Sequence, residues 1–324
     1  MSKSNDGLRP VNIRTDLAAL ADLIELAFTE TMDNNGRAAL REMRQMSRLG
    51  PGLSFLSRLN DMTLGIGMGY VWVEDGQIIG NVSIYPSGYP KDMDETFVIA
   101  NVSVHPDHRR KGIARQMMIA SMEHIGKRGA TAILQVEADN IGAHSLYRSL
   151  GFIDERTWTQ WRRTTYAQPP QLETDTSNVF LRRRRGSEAW LEYRLARRIR
   201  PQNAGGLGWL RPLVKREFKR SYWGRFADWI NLRSIERIVA VTNDEVCGSI
   251  WVQNTFGSKT QLTLLVEPDH QGVYDEILLN NAVRRYGRGT LVIEHPDDEV
   301  QTKLVLQRYR FYPERTVIHM RWQE

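Results

Sequence analysis

Apolar and polar positions change period along this chain in an ordered way. The stretch from Asp16 to about Ser57 reads as helical, and from Gly69 to Tyr85 it gives way to two β-rich runs joined by an acidic turn near a glycine. That pattern predicts a hairpin. Val98, Ala100, Val102 and Val104 then alternate with Ile99, Asn101 and Ser103, predicting a strand over Thr96 to Val104 with one face in the core, ended by Pro106. A helix is expected from Gly112 to about Lys127, with Ile113, Met117 and Ile125 at helical spacing. A strand from Ala132 to Glu137, a short helix from Ile141 to Ser149 and a last strand from Glu155 to Arg162 complete the series. Helices that punctuate a mostly antiparallel, mixed sheet give an α+β domain.

The same series occurs twice. VWVEDGQIIGNVSI from Val71 matches VAVTNDEVCGSIWV from Val239, VSVHPDH from Val102 matches LLVEPDH from Leu264, and LYRSLGFIDERT from Leu146 matches VLQRYRFYPERT from Val305. The offsets are 168, 162 and 159 residues, in one order and with little drift. Two tandem copies of one domain are therefore expected, over residues 8–165 and 179–324. The polar, proline-bearing stretch from Ala167 to Asn178 serves as the linker, within 166–178.

Composition narrows the class. Hydrophobic residues make up 41% of the chain and charged residues 25%, and no apolar run approaches the ~20 residues of a membrane span. No membrane span is expected. The N-terminus lacks the apolar region of a secretory signal and Cys247 has no disulfide partner, so a cytoplasmic location is expected. Residues 1–165 hold 19 Lys and Arg against 19 Asp and Glu, so the whole net charge of +6 falls after residue 165. Arg182 to Arg185, Arg194, Arg197, Arg198 and Arg200 supply much of it. Such a run suits nucleic acid, ribosome, an acidic substrate or anionic lipid, and equally a solvated helix face.

The chemistry concentrates after the Thr96–Val104 strand. Arg109, Arg110, Lys111 and Gly112 form a basic turn, and Ile113, Ala114 and Arg115 open the following helix. Amides at a helix start, with the macrodipole behind them, bind anions, and a glycine lets a phosphate approach the backbone. VSVHPDHRRKGIAR resembles the pyrophosphate-binding motif of the GCN5-related N-acetyltransferase (GNAT) superfamily, Arg/Gln-x-x-Gly-x-Gly/Ala, here Arg109, Gly112 and Ala114. That resemblance implies acetyl-coenzyme A as cosubstrate, without a metal. It also implies a β-bulge in the preceding strand, where the backbone of Val102, Ser103 and Val104 pairs with the pantetheine amides and leaves the thioester between splayed strands.

ADNIGAHSLYRSLGF carries the second element. Asn140 can cap a helix that Gly151 closes, and Asn140, Ala143 and Tyr147 share one face at spacings of three and four, with Leu146, Leu150 and Phe152 as its packing side. A tyrosine so placed also suits plain core packing. The run resembles the second GNAT motif, which implies that Asn140 contacts the cofactor, Ala143 makes room for it and Tyr147 protonates the departing thiolate. Within the superfamily, LQVEADNIGAHSLYRSLGF is most similar to ribosomal-protein alanine acetyltransferases, where a glutamate stands at the position of Gln135. This chain departs there. The proton acceptor is then Glu137, or a water relay through Asn101 and Ser103, or none is needed because an α-amine of pKa ~8 arrives partly neutral.

Other signals are weaker. Gly65, Gly67 and Gly69 imitate a dinucleotide fingerprint but precede a strand rather than a helix, and the seven histidines show no metal spacing. His105 and His108 flank the expected bulge. In the second copy the basic turn is replaced by Gln271, Gly272, Val273 and Tyr274, while Glu299 and Leu306 stand where Asn140 and Tyr147 do. A degenerate domain follows, whose Trp190, Trp209, Trp223 and Trp229 suit acceptor or partner recognition or an ordinary helical layer. Direct acetyl transfer to an amine, either a protein N-terminus or a small molecule, is the leading expectation. The alternative is a non-catalytic acetyl-coenzyme A sensor or scaffold whose basic half binds nucleic acid or ribosome.

Overall fold

The computed structural model describes residues 6–29, 32, 34–48, 68–164, 168–173, 179–202, 205–219, 233–242, 245–255 and 259–324. The expected helical stretch beyond Arg48, Gly65, Gly67, Trp223, Trp229 and most of the expected linker lie outside them. The chain divides into two compact units. Unit 1 holds Met1–Gln135, Gly142–Ile153 and Met320–Glu324, and unit 2 holds Val136–Ile141 and Asp154–His319.

In unit 1 the strands β1 (Gly7–Pro10), β2 (Met68–Glu74), β3 (Gln77–Pro86), β4 (Thr96–Val104) and β5 (Thr131–Glu137, to Gln135) lie in sequence order. All pair antiparallel except β4 with β5, which are parallel. Helices α1 (Leu17–Phe28) and α2 (Asn34–Arg48) cover one face: Leu17, Leu20, Ala21, Ile24, Leu40 and Met43 pack on Val71 and Val73. Asp16, buried at the start of α1, is held by Arg9 at 2.7 Å and by the Asn12 amide at 2.8 Å. Helix α3 (Ile113–Gly126) takes the other face, where successive strand residues point oppositely. A Cβ on Gly80 would stand 3.0 Å from Ile113 and 3.1 Å from Met117, so the missing side chain is what lets α3 lie close to β3. Helix α4 (Ile141–Ser149) follows, and Gly151 closes it with φ 91°. The chain's last residues join this unit, with Trp322 lying 3.5 Å from a Cβ built on Gly151.

Unit 2 contains β6 (Ile153–Arg163, from Asp154), β7 (Phe180–Arg183), β8 (Arg233–Thr242), β9 (Glu245–Thr255), β10 (Thr260–Val266), β11 (Leu291–Pro296) and β12 (Tyr312–Trp322, to His319), in spatial order β12-β6-β11-β10-β9-β8-β7. Its helices are α5 (Ala189–Ile199), α6 (Lys215–Phe218), α7 (Tyr274–Tyr286) and α8 (Val300–Arg308). From β7 onward the strands and longer helices repeat the order of the first half. Ile277, Leu278, Ala282 and Val283 of α7 pack with Trp161, Ile250 and Leu264 in one core, and Leu195 and Ala196 of α5 lie in two smaller clusters with Val239, Val241, Trp251 and Leu265. A Cβ on Gly248 would meet Leu278 at 3.0 Å, repeating the close approach at Gly80. Each unit is α+β, a mixed sheet flanked by helices.

Candidate functional site

Strand β4 carries a defect that its sequence pattern hides. Gly80 pairs with Val104 and Asn81 with Ser103, but Ser83 pairs with Ala100, so Asn101 and Val102 together oppose Val82. This is a β-bulge. Asn101 absorbs it with φ 52°, a left-handed conformation that asparagine tolerates better than most residues. On its other edge β4 pairs with β5 from Thr96 to Val98 and no further. The backbone from Ile99 to Val104 is thus released from β5 along the stretch that contains Val102, Ser103 and Val104.

The chain then makes a 3₁₀ turn over Pro106–His108, and Arg110 and Gly112 adopt φ 64° and 81° before α3 begins. The first amides of α3, at Ile113, Ala114 and Arg115, have no carbonyl one turn back and point out of the helix start. Arg109, Arg110 and Lys111 are exposed around them. Several bonds fix this turn. Arg109 Nε donates to the Val104 carbonyl at 3.1 Å, His108 Nδ1 lies 2.7 Å from Glu74 Oε2, and Lys111 Nζ lies 4.0 Å from Glu74 Oε1. Arg115 Nη2 donates to Ser149 Oγ at 2.7 Å, tying the start of α3 to the end of α4. Together these features set an exposed, basic helix start beside the stretch of β4 that does not pair with β5.

Along α4 and the residue before it, exposure falls from Asn140 (exposed) through Ala143 (half-buried) to Tyr147 (6% exposed). The Tyr147 ring packs against Phe152 at 6.1 Å between centroids, and burial pushes its phenol up to about 12. The proton therefore stays on the oxygen throughout the neutral range. Gln135 is half-buried on β5. Glu137 groups with unit 2, where Arg315 Nε donates to its carboxylate at 2.6 Å. His105 accepts from the Asp107 amide at 3.4 Å. Among the described residues no group of His, Cys, Asp or Glu is placed to hold a metal ion.

The second half treats the equivalent positions differently. Strands β9 and β10 pair without interruption from Gln253–Gln261 to Gly248–Val266. Arg200, read in the sequence as part of a basic run, is buried: it ion-pairs with Glu299 at 2.6 Å and donates to the Leu264 carbonyl at 3.2 Å. Burial brings Arg200 down to about 10 and would raise Glu299, but Arg200, His295 and Arg156 hold Glu299 down to about 2. At the start of α7 the Asp275 carboxylate accepts from the Glu276 amide at 3.0 Å. Within the basic run, Arg182, Arg183, Arg184 and Arg198 are paired with Glu188, Glu236, Glu192 and Glu267.

Residues 37–152 match a family model described as the acetyltransferase (GNAT) family. A GCN5-related N-acetyltransferase from Sphaerobacter thermophilus superimposes with TM-score 0.61 at 17% identity, over 98% of this chain and 95% of that one. The fold is the GNAT acetyltransferase fold. A tandem GNAT protein from the clavulanic acid biosynthesis pathway gives TM-score 0.51 at 15% identity, over 98% of each chain. A glucosamine N-acetyltransferase region of a fungal multi-domain β-N-acetylglucosaminidase gives 0.60 at 15%, over 97% of this chain and 38% of that one. No curated protein matches the chain in sequence. The GNAT match supports acetyl transfer as a general class of chemistry.

Proposed function

We propose that this protein transfers an acetyl group from acetyl-coenzyme A to an amine. The observation that carries the reading is the break in the β3–β4 ladder at Asn101 and Val102, followed directly by the left-handed turn at Arg110 and Gly112. The freed backbone of Val102 to Val104 suits the pantetheine amides, and the amides of Ile113, Ala114 and Arg115 with the cations of Arg109, Arg110 and Lys111 suit the pyrophosphate. Asn140 and Ala143 complete the cofactor set in this reading.

In the reaction, the lone pair of the acceptor nitrogen attacks the thioester carbonyl carbon, and the oxyanion is stabilised by strand amides near Val102 to Val104. As the carbon–sulfur bond breaks, Tyr147 gives its proton to sulfur and regains one from the nitrogen that has become an amide. A phenol near 12 keeps its proton until charge builds on the sulfur, which fits an acid and not a resting base. Glu137, the carboxylate closest to the Gln135 position in sequence, is engaged by Arg315. That favours an acceptor that arrives neutral, such as a protein α-amine of pKa ~8, as the alanine acetyltransferase likeness also implies, over lysine near ~10.4.

The second half is read as a GNAT-like domain without a cofactor. Its own groups occupy what the first half leaves open: Arg200 takes the Leu264 carbonyl, where Val102 stands in the first half, and Asp275 takes an amide at the start of α7. Five of the run's eight arginines, Arg200 included, are engaged by glutamates, which weakens the case for a nucleic-acid scaffold. The deciding experiment is acetyl-coenzyme A binding by calorimetry, followed by a transfer screen over N-terminal peptides, polyamines and aminoglycosides. Absence of binding would sink the reading.

A further inference from the structure

The bulge in β4 has a counterpart in the same molecule that lacks it, and the side chains that differ identify its cause. In the first half Asn81 Nδ2 donates to the Asn101 carbonyl at 3.0 Å, and Asn101 Nδ2 donates to Ser83 Oγ at 3.2 Å. Asn81 and Ser83 are buried, with Asn81 1% exposed. Asn81 crosses to Ser103, the last regular pair before the slip, so its amide reaches along the sheet to the residue at φ 52°.

The hairpin repeat places Ser249 and Trp251 at the positions of Asn81 and Ser83, and the strand repeat places Thr263 and Leu265 at those of Asn101 and Ser103. There Ser249 pairs with Leu265 and Trp251 with Thr263, in register, and no residue from Thr260 to Val266 has positive φ. The helix above also differs. Glu192 of α5 accepts from both Ser249 Oγ and Trp251 Nε1, so the polar groups of β9 are drawn toward the helix. In the first half α1 presents Leu17, Leu20, Ala21 and Ile24 instead. Asn81 finds no partner there, its Oδ1 and Ser103 Oγ stay unpaired, and its amide is left to serve the strand.

We infer that Asn81 is the positioning residue that sets the β4 bulge: by holding the Asn101 carbonyl it fixes that residue in the left-handed conformation and so frees the backbone of Val102 to Val104. Asn81 touches no reacting atom. The inference rests on the acetyl-coenzyme A reading for its functional consequence, but not for its structural one.

Two readouts on the full chain separate them. The first is the β3–β4 register of the free protein, by crystallography or by cross-strand nuclear Overhauser contacts. The second is acetyl-coenzyme A affinity by calorimetry. Asn81→Ser, which imports the residue of the second half, should restore an unbroken register and weaken binding by at least about tenfold. Asn101→Val should do the same, because a β-branched residue resists positive φ. Asn101→Gly should keep the bulge and bind within about threefold of the parent, and adding Asn101→Gly to Asn81→Ser should recover most of the affinity, since glycine needs no clamp. A bulge that persists in a folded Asn81→Ser protein overturns the inference. Should that variant not fold, Asn81→Leu, close in shape but without the amide that reaches the Asn101 carbonyl, decides: a bulge that persists there also overturns it. If the parent protein does not bind acetyl-coenzyme A, the functional reading fails while the register still judges Asn81.

Discussion

Arg200 donates to the carbonyl oxygen of Leu264 at 3.2 Å while its guanidinium pairs with Glu299 at 2.6 Å. The carbonyl that aligns with Val102, which in the first half lies past the end of the β4–β5 pairing, is therefore already taken in the second. One acetyl-coenzyme A per chain is the expected stoichiometry in calorimetry, and substituting Gly272 should leave the affinity unchanged. Two equivalents bound would show that the second half can open.

The same pair makes a stability prediction. Removing one member of a buried ion pair typically costs about 3–5 kcal/mol, because the other charge is left unpaired away from water. Glu299 would keep Arg156 and His295, each at 3.0 Å, so the test removes Glu299: Glu299→Gln should lower the melting transition sharply by stranding buried Arg200, while Glu299→Gln with Arg200→Met should recover much of the loss. If the double variant melts no higher than the single, the pair is not what holds this core.

Much of the fold was legible because it follows from side-chain period. The strand over Thr96 to Val104 and the helix over Ile141 to Ser149 fall where alternation and spacing put them. The start of the helix after Gly112 was legible too, because Ile113, Met117 and Ile125 follow helical spacing. Three features were not. Asn81 acts through a hydrogen bond along the sheet, which leaves no trace in hydrophobic pattern. Arg200 reads as one more cation in a basic run, and its burial depends on Glu299, 99 residues away. The pairing of Glu137 with Arg315 spans 178 residues, beyond any local motif. Local rules find elements, whereas these contacts depend on which elements meet.

Gly112→Glu should abolish cofactor binding. A Cβ at Gly112 would meet nothing within 4 Å, so the substitution does not clash with the protein. It does place a carboxylate in the anion turn and requires φ 81° of a residue that resists it, at a cost of roughly 1–2 kcal/mol. Gly112→Asn, which tolerates that conformation and adds no charge, should retain part of the affinity. Equal binding by parent and glutamate variant would remove the turn from the site.

Acid should destabilise unit 2 in two stages. Burial, aided by Arg315, pushes His319 down to about 3, so below its ordinary value near 6.5 the unfolded chain takes a proton that the folded one refuses. Stability is then lost as pH falls from about 6.5 toward 3, by a few kcal/mol in order of magnitude. Glu299, held down to about 2, adds a second loss as pH falls from about 4.5 toward 2. Glu294, 3.8 Å from His319 Nε2 and raised by burial, opposes this just above pH 4.5. Denaturant melts across this range should steepen below pH 6.5, and His319→Phe should flatten the first stage. An unchanged profile in that variant would assign the loss elsewhere.

Tyr147→Phe tests the acid. The substitution keeps the ring that packs on Phe152 and deletes the hydroxyl whose proton burial holds up to about 12. A positioned general acid contributes about 10²–10⁴ in rate, so kcat should fall by that factor, while acetyl-coenzyme A affinity should change by less than about tenfold. The deficit should shrink with an acyl donor whose thiol is more acidic, because that sulfur can leave without a proton. A purely packing role for Tyr147 would produce the opposite split, with little change in kcat at saturation and no dependence on the leaving thiol. Single-turnover measurement, where chemistry limits the rate, distinguishes the two.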